Sequence, residues 1–145
     1  MATAAAQLTG MTQTELDQMF SRGSIDRVPE GDAQGTAIVA PGSPISGLLA
    51  KLIHILAWKG KVIDPDGKGL RNKVTPFGIK AIRAEIYKEP SWFDQRECIV
   101  LDYSKTSLVA RKIRDEIREV EPGRYLGIVY WGKHKFVNFF LVFPS

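Results

Sequence analysis

A chain of 145 residues with 44% apolar and 25% charged side chains has the make-up of one globular domain with a real core, not of a disordered polymer. One cysteine excludes an intrachain disulfide, and two histidines beside it argue against a dedicated metal cluster. The net charge of +4 is modest and spread without a dense basic run, so nucleic acid is not the expected partner.

Residues 1–10, MATAAAQLTG, are small and polar and are expected to be disordered, with 11–145 forming a single β-barrel domain. They lack the basic start and apolar stretch of a signal peptide, and no apolar run approaches the ~20 residues of a spanning helix, so a cytoplasmic location without a membrane span is the default expectation. Thr12 and Glu15 make a capping box, and Leu16, Met19 and Phe20 share one stripe, which predicts a helix from Gln13 to Ser21 ended by Gly23. After Pro29, Gly31 and Gly35, the β-branched run at 36–39 predicts a first strand. Ser43 before Pro44 starts a second helix whose broad apolar face, Ile45, Leu48, Leu49, Leu52, Ile53 and Leu56, requires cover from a sheet or the end of a barrel. His54, near that face, reads first as a core histidine and second as a proton-transfer group.

Pro65-Asp66-Gly67 is a strong turn between 59–64 and 70–74, which form a short hairpin in the most basic part of the chain. Its lysines and arginines read as a solvated face, with attraction of a phosphate or carboxylate as the alternative. Residues 79–88 alternate as a strand and Glu89-Pro90-Ser91 breaks it. The following loop carries Trp92 and Phe93, which either cap a cavity mouth or pack beneath the loop. Residues 97–103 form the return strand, with Cys98 as an inert core thiol.

The region 112–143 holds the functional expectation. Glu121-Pro122-Gly123-Arg124 places proline and glycine at the centre of a type II turn, and Trp131-Gly132-Lys133-His134 can close as a II′ hairpin. The segment 107–120 also fits an amphipathic helix, because Val109, Ile113, Ile117 and Val120 recur at helical spacing; a strand from about Lys112 is preferred because the period-two pattern then runs through the whole meander. Uninterrupted pairing from the two turns sets Val120 opposite Tyr125, Arg118 opposite Gly127 and Gly127 opposite Asn138. A row of Arg118, Gly127 and Asn138 then crosses three strands, flanked by Tyr125, Trp131, His134 and Phe140, and the glycine leaves room for a guanidinium or its guest.

Asp102-Tyr103-Ser104, then Arg114-Asp115-Glu116-Ile117-Arg118, then Pro122-Gly123-Arg124-Tyr125-Leu126-Gly127, resemble a pattern in small, mostly uncharacterised microbial proteins with lipocalin-like barrels. The first helix ahead of Gly31-Asp32-Ala33-Gln34-Gly35-Thr36 is similar to their opening. The resemblance implies a fold and no particular reaction. With the strand count it gives a mainly β fold, a single antiparallel lipocalin-like barrel of about eight strands with two short N-terminal helices, wide enough to hold one small ligand.

Phosphate loops, nucleophile elbows, metal-ligand histidine pairs and dinucleotide fingerprints are absent from the sequence, and no cofactor is expected. The leading expectation is a binding protein for a small hydrophobic or amphipathic molecule with an acidic or carbonyl oxygen, held by Arg118 and Asn138 and covered by Tyr125, Trp131 and Phe140. The second is a cofactor-independent isomerase, cyclase or lyase, with Glu116 or Asp115 as base, a tyrosine such as Tyr103 as acid, and Arg118 with Asn138 steadying an enolate. The third is a protein-interaction module with an open aromatic patch. The oligomeric state, homodimer included, stays open.

Overall fold

Helix α1, Gln13–Ser21, begins where its sequence says it should. The Thr12 hydroxyl accepts a hydrogen bond from the Glu15 amide and the Glu15 carboxylate accepts one from the Thr12 amide, both at 3.1 Å, so two otherwise orphaned donors are satisfied. The helix buries Leu16 and Phe20 completely, a gain of about 1.5–3 kcal/mol for each side chain relative to exposure. Past its end, Ser24 and Glu119 exchange backbone hydrogen bonds of 2.8 Å in each direction, which ties the helix exit to the sheet.

The computed structural model describes residues 11–38, 60–63, 68–74, 79–105 and 111–143. The expected disorder of 1–10, the second helix at 43–58 and His54 with it lie outside these residues. So do most side chains of the basic hairpin.

Among the described residues eight strands follow α1: β1 (Gly31–Ile38), β2 (Gly60–Ile63), β3 (Gly69–Val74), β4 (Ile79–Pro90), β5 (Glu97–Asp102), β6 (Ile113–Glu121), β7 (Arg124–Trp131) and β8 (His134–Val142). Each pairs antiparallel with the next, and β1 divides its length, 31–34 against β2 and 34–38 against β8. The product is a mainly β fold, a curled, barrel-like antiparallel sheet with one helix.

The curl encloses a core to which every strand contributes: Ala33, Ile63, Leu70, Ala84, Ile99, Ile117, Tyr125 and Phe139, with Leu101, Tyr103 and Leu141 among them. A second cluster covers the outer face, where α1 lays Leu16 and Phe20 over Cys98, Val100, Leu126, Ile128 and Phe140. The strand reading of the segment before Pro122 holds from Ile113 onward, against the helical alternative. Long-range pairing with β5 and β7 outweighs the local helical periodicity.

Both predicted turns form. Gly123 (φ +74°) and Gly132 (φ +61°) take the left-handed backbone that their turns need, and Glu121–Arg124 and Trp131–His134 face each other. Between the turns the register departs from uninterrupted pairing. Val120 is an extra residue between Glu119↔Tyr125 and Glu121↔Arg124, and Phe136 is extra between Val129↔Val137 and Tyr130↔Lys135. Each is a β-bulge, and each shifts all following pairs by one residue, which inverts the side on which they project. The expected pairs Val120–Tyr125, Arg118–Gly127 and Gly127–Asn138 are therefore replaced by Arg118–Leu126–Phe140, Ile117–Gly127–Phe139 and Glu116–Ile128–Asn138. The two inversions cancel between β6 and β8, so only β7 is turned over: Tyr125 and Gly127 face inward while Leu126 and Ile128 face outward.

Candidate functional site

Strand β6 sends charged side chains to both faces of the sheet. Arg114, Glu116 and Arg118 project outward beneath α1 and the 91–96 loop, while Asp115 projects inward between Leu101 of β5 and Val129 of β7. All four are buried, so each must find partners or destabilise the fold.

Arg118 is fully buried and uses all five of its donors. Two go to the Asp94 carboxylate at 2.7 and 2.8 Å, and the others to the carbonyls of Phe20 (3.1 Å), Arg96 (2.9 Å) and Glu97 (3.2 Å). These bonds hold the Asp94 carboxyl below its ordinary range. Glu116, also fully buried, accepts from the Ser91 hydroxyl (2.6 Å), the Trp92 amide (2.8 Å) and the Arg114 guanidinium (2.9 and 3.2 Å). Arg114 reaches past it to Glu89 and the Pro90 carbonyl. Two of these buried ions, Glu116 and Arg118, one of each sign, thus anchor the 91–96 loop at both ends.

That loop separates its two large apolar residues. Phe93 packs down onto the outer-face cluster, its ring edge-on to Phe20 at 6.0 Å, whereas Trp92 remains 44% exposed beside Tyr130 at 5.3 Å and Arg114 at 4.1 Å. Cys98 lies under the same cover, and burial pushes its thiol up to about 12, so it is not a nucleophile at neutral pH.

The inner face carries a different group. The Tyr103 hydroxyl donates to Asp115 Oδ2 at 3.3 Å, and both residues are buried, at 2% and 3% exposure, within the apolar core. Tyr125 is also inside, edge-on to Phe143 at 5.5 Å, and donates to the Arg27 carbonyl at 2.8 Å; burial and the nearby Glu119 raise its phenol.

The expected row of Arg118, Gly127 and Asn138 is therefore not assembled. Arg118, Asn138 and Phe140 lie on the outer face, Gly127 and Tyr125 on the inner, and Trp131 and His134 at the exposed β7–β8 turn. Asn138 donates to the Gly127 carbonyl (3.0 Å) and accepts from Gln13 (2.9 Å), which fastens α1 to the sheet. The space above Gly127 holds the ring of Phe139, not a guest, and a Cβ there would collide with it. Of the three proposed catalytic groups, Asp115 and Tyr103 meet and Glu116 is sealed on the opposite side. The sequence reading missed Ser91, Asp94 and Gln13. Ser91 and Asp94 stand three residues apart after Pro90, a turn-forming pattern that marks an ordered loop but not its distant partners.

No group of three or more histidine, cysteine, aspartate or glutamate side chains is placed to hold a metal among the described residues. Nor is any helix among them long and apolar enough to cross a membrane.

The fold is shared with a protein of known structure. A crystal structure of a protein from Thermomonospora curvata superposes with a TM-score of 0.62 over 94% of this chain and 90% of that one, at 17% sequence identity. At that identity the likeness concerns fold alone. No family model and no curated protein matches the chain.

Proposed function

We propose that the curled sheet closes as an eight-stranded lipocalin-like barrel and that its interior binds a small, mainly apolar molecule bearing a carbonyl or acidic oxygen. Closure is supported by β1, which lies against β2 over one half and β8 over the other. Binding is supported by the single observation that a hydrogen-bonded tyrosine and aspartate stand buried among aliphatic and aromatic side chains drawn from every strand. A few polar groups set in an apolar enclosure is the usual composition of a small-molecule site. A ligand carbonyl would take the Tyr103 hydrogen bond, or an acidic hydroxyl would donate to Asp115. Arg118 has no part in this reading, since Asp94 and three carbonyls occupy its donors.

The same pair favours a second reading, a cofactor-independent isomerase, cyclase or lyase in which Asp115 takes a proton and Tyr103 gives one. Native mass spectrometry of freshly purified protein tests both. The expected result is a retained molecule whose occupancy falls about tenfold, a loss of about 1.4 kcal/mol, in Tyr103→Phe. Wild type and Tyr103→Phe both empty, with no thermal shift by apolar carbonyl or phenolic compounds, would sink the binding reading. Should Asp115→Asn retain the molecule but stop its conversion, the enzyme reading prevails.

A further inference from the structure

A cleft of about 290 Å³ opens on the outer side of the sheet, away from the Tyr103–Asp115 pair, and its described lining includes Tyr87, Glu89, Trp92, Asp102, Lys112 and Arg114. From these groups we infer that the cleft is a second site, one that binds a neutral saccharide of about one sugar ring.

The aromatic wall is built in advance of any ligand. Trp92 is held by its amide on Glu116, by Arg114 over the indole and by Tyr130 at its edge, yet nearly half of the side chain faces solvent. An exposed tryptophan gains nothing for folding from its exposed part, and here the buried Glu116 carboxylate and the Arg118–Asp94 ion pair fix the loop that presents it. A rigid aromatic in a recess offers apolar area at low entropic cost on binding.

The polar wall is equally ordered. The Tyr87 hydroxyl donates to Asp102 Oδ2 at 2.7 Å and the Ser104 amide to Asp102 Oδ1 at 2.8 Å, which leaves each carboxylate oxygen with further acceptor capacity. Burial and the Asp102 hydrogen bond both raise the Tyr87 phenol, so it stays a protonated donor. Glu89 is pinned by Arg114, and Lys112 adds a donor at the rim.

Charge selects among ligands. The lining holds two carboxylates and two cations, with the buried Glu116 behind Arg114 as a third carboxylate. An anion meets Glu89 and Asp102, and a cation meets Lys112 and Arg114. A neutral molecule with several hydroxyls and one apolar C–H face satisfies donors, acceptors and indole together. The volume lies near the lower end of the roughly 300–1,000 Å³ typical of ligand pockets, which suits one ring and not a long chain.

The test follows the indole N–H resonances of the three tryptophans while wild-type protein is titrated with glucose, galactose, mannose and N-acetylglucosamine, with choline and acetate as charged controls. The expected result is a saturable, millimolar shift of the Trp92 resonance and of the backbone amides of Glu89 and Asp102 by at least one sugar, the amide shifts being lost in Trp92→Ala and the affinity about tenfold weaker in Asp102→Asn. Tyr103→Phe leaves it unchanged, so failure here is read separately from failure of the interior site. The inference is overturned if no sugar produces a saturable shift, if choline or acetate does so at lower concentration, or if Trp92→Ala still binds.

Discussion

The two sides of β6 bury charge by opposite means. On the outer side Glu116 and Arg118 are both fully buried, and each is surrounded by partners brought from elsewhere in the chain: Ser91, Trp92 and Asp94 in the loop, Phe20 at the end of α1. On the inner side Asp115 sits beside Tyr103, next to the apolar core cluster of the described residues. The first arrangement uses charge to fasten a loop and a helix to a sheet. The second sets an acidic group on the inner face, hydrogen-bonded to a tyrosine. Adjacent residues of one strand thus meet different surroundings, and the alternation of side chains is what separates them.

The largest effect that sharpens this contrast is expected from Arg118→Met. It strands the Asp94 carboxylate and three carbonyls, and removing one partner of a buried ion pair costs about 3–5 kcal/mol. Asp115→Asn, which keeps the shape of its side chain, should cost clearly less in the same denaturant titration. Equal losses would erase the distinction between the two sides of β6.

Gly127→Ala comes next, at about 1–3 kcal/mol, the usual penalty of forcing extra volume into a packed core. The cost arises because the Phe139 ring lies over the glycine, so a Gly127→Ala, Phe139→Leu double variant should recover part of it. A neutral Gly127→Ala would mean that the gap expected from sequence is open after all. On the helix, Thr12→Ala should cost about 1 kcal/mol through loss of the capping box. A thermal melt that leaves the sheet transition in place would mark α1 as a separable cover of the outer face.

The smallest effect is confined to acid. Asp94 titrates below its ordinary value of 3.8 because Arg118 bonds its ionised form, so its folded pKa is depressed. Its contribution is complete above the unfolded value and is lost as pH falls through the folded one. Stability should therefore drop below pH 3.8 more steeply in wild type than in Asp94→Asn. Identical acid-unfolding curves would remove Asp94 from the account.

Local chemistry wrote several of these features into the chain. The Thr12–Glu15 box and the Pro122-Gly123 and Gly132-Lys133 turns each depend on residues within a few positions of one another, and each is found where it was expected. The pairing of Asp115 with Tyr103 lay within reach as well, since Tyr103 directly follows β5 and Asp115 lies on its neighbour β6. The bulges at Val120 and Phe136 did not. A bulge is favoured by the fit of whole strands around the curl, and no turn residue announces it. One extra residue in β6 was enough to turn β7 over and dissolve the row of Arg118, Gly127 and Asn138. The partner of Arg118 was hidden for a similar reason: Asp94 lies 24 residues away, and only the folded sheet brings the loop over the strand. Sequence settled most of the strand segments and the two reversals of the last meander, though β1 begins at Gly31 and β4 runs to Pro90, beyond the bounds expected; the folded sheet settled which side each residue faces, because facing depends on a count of residues summed across every bulge between them.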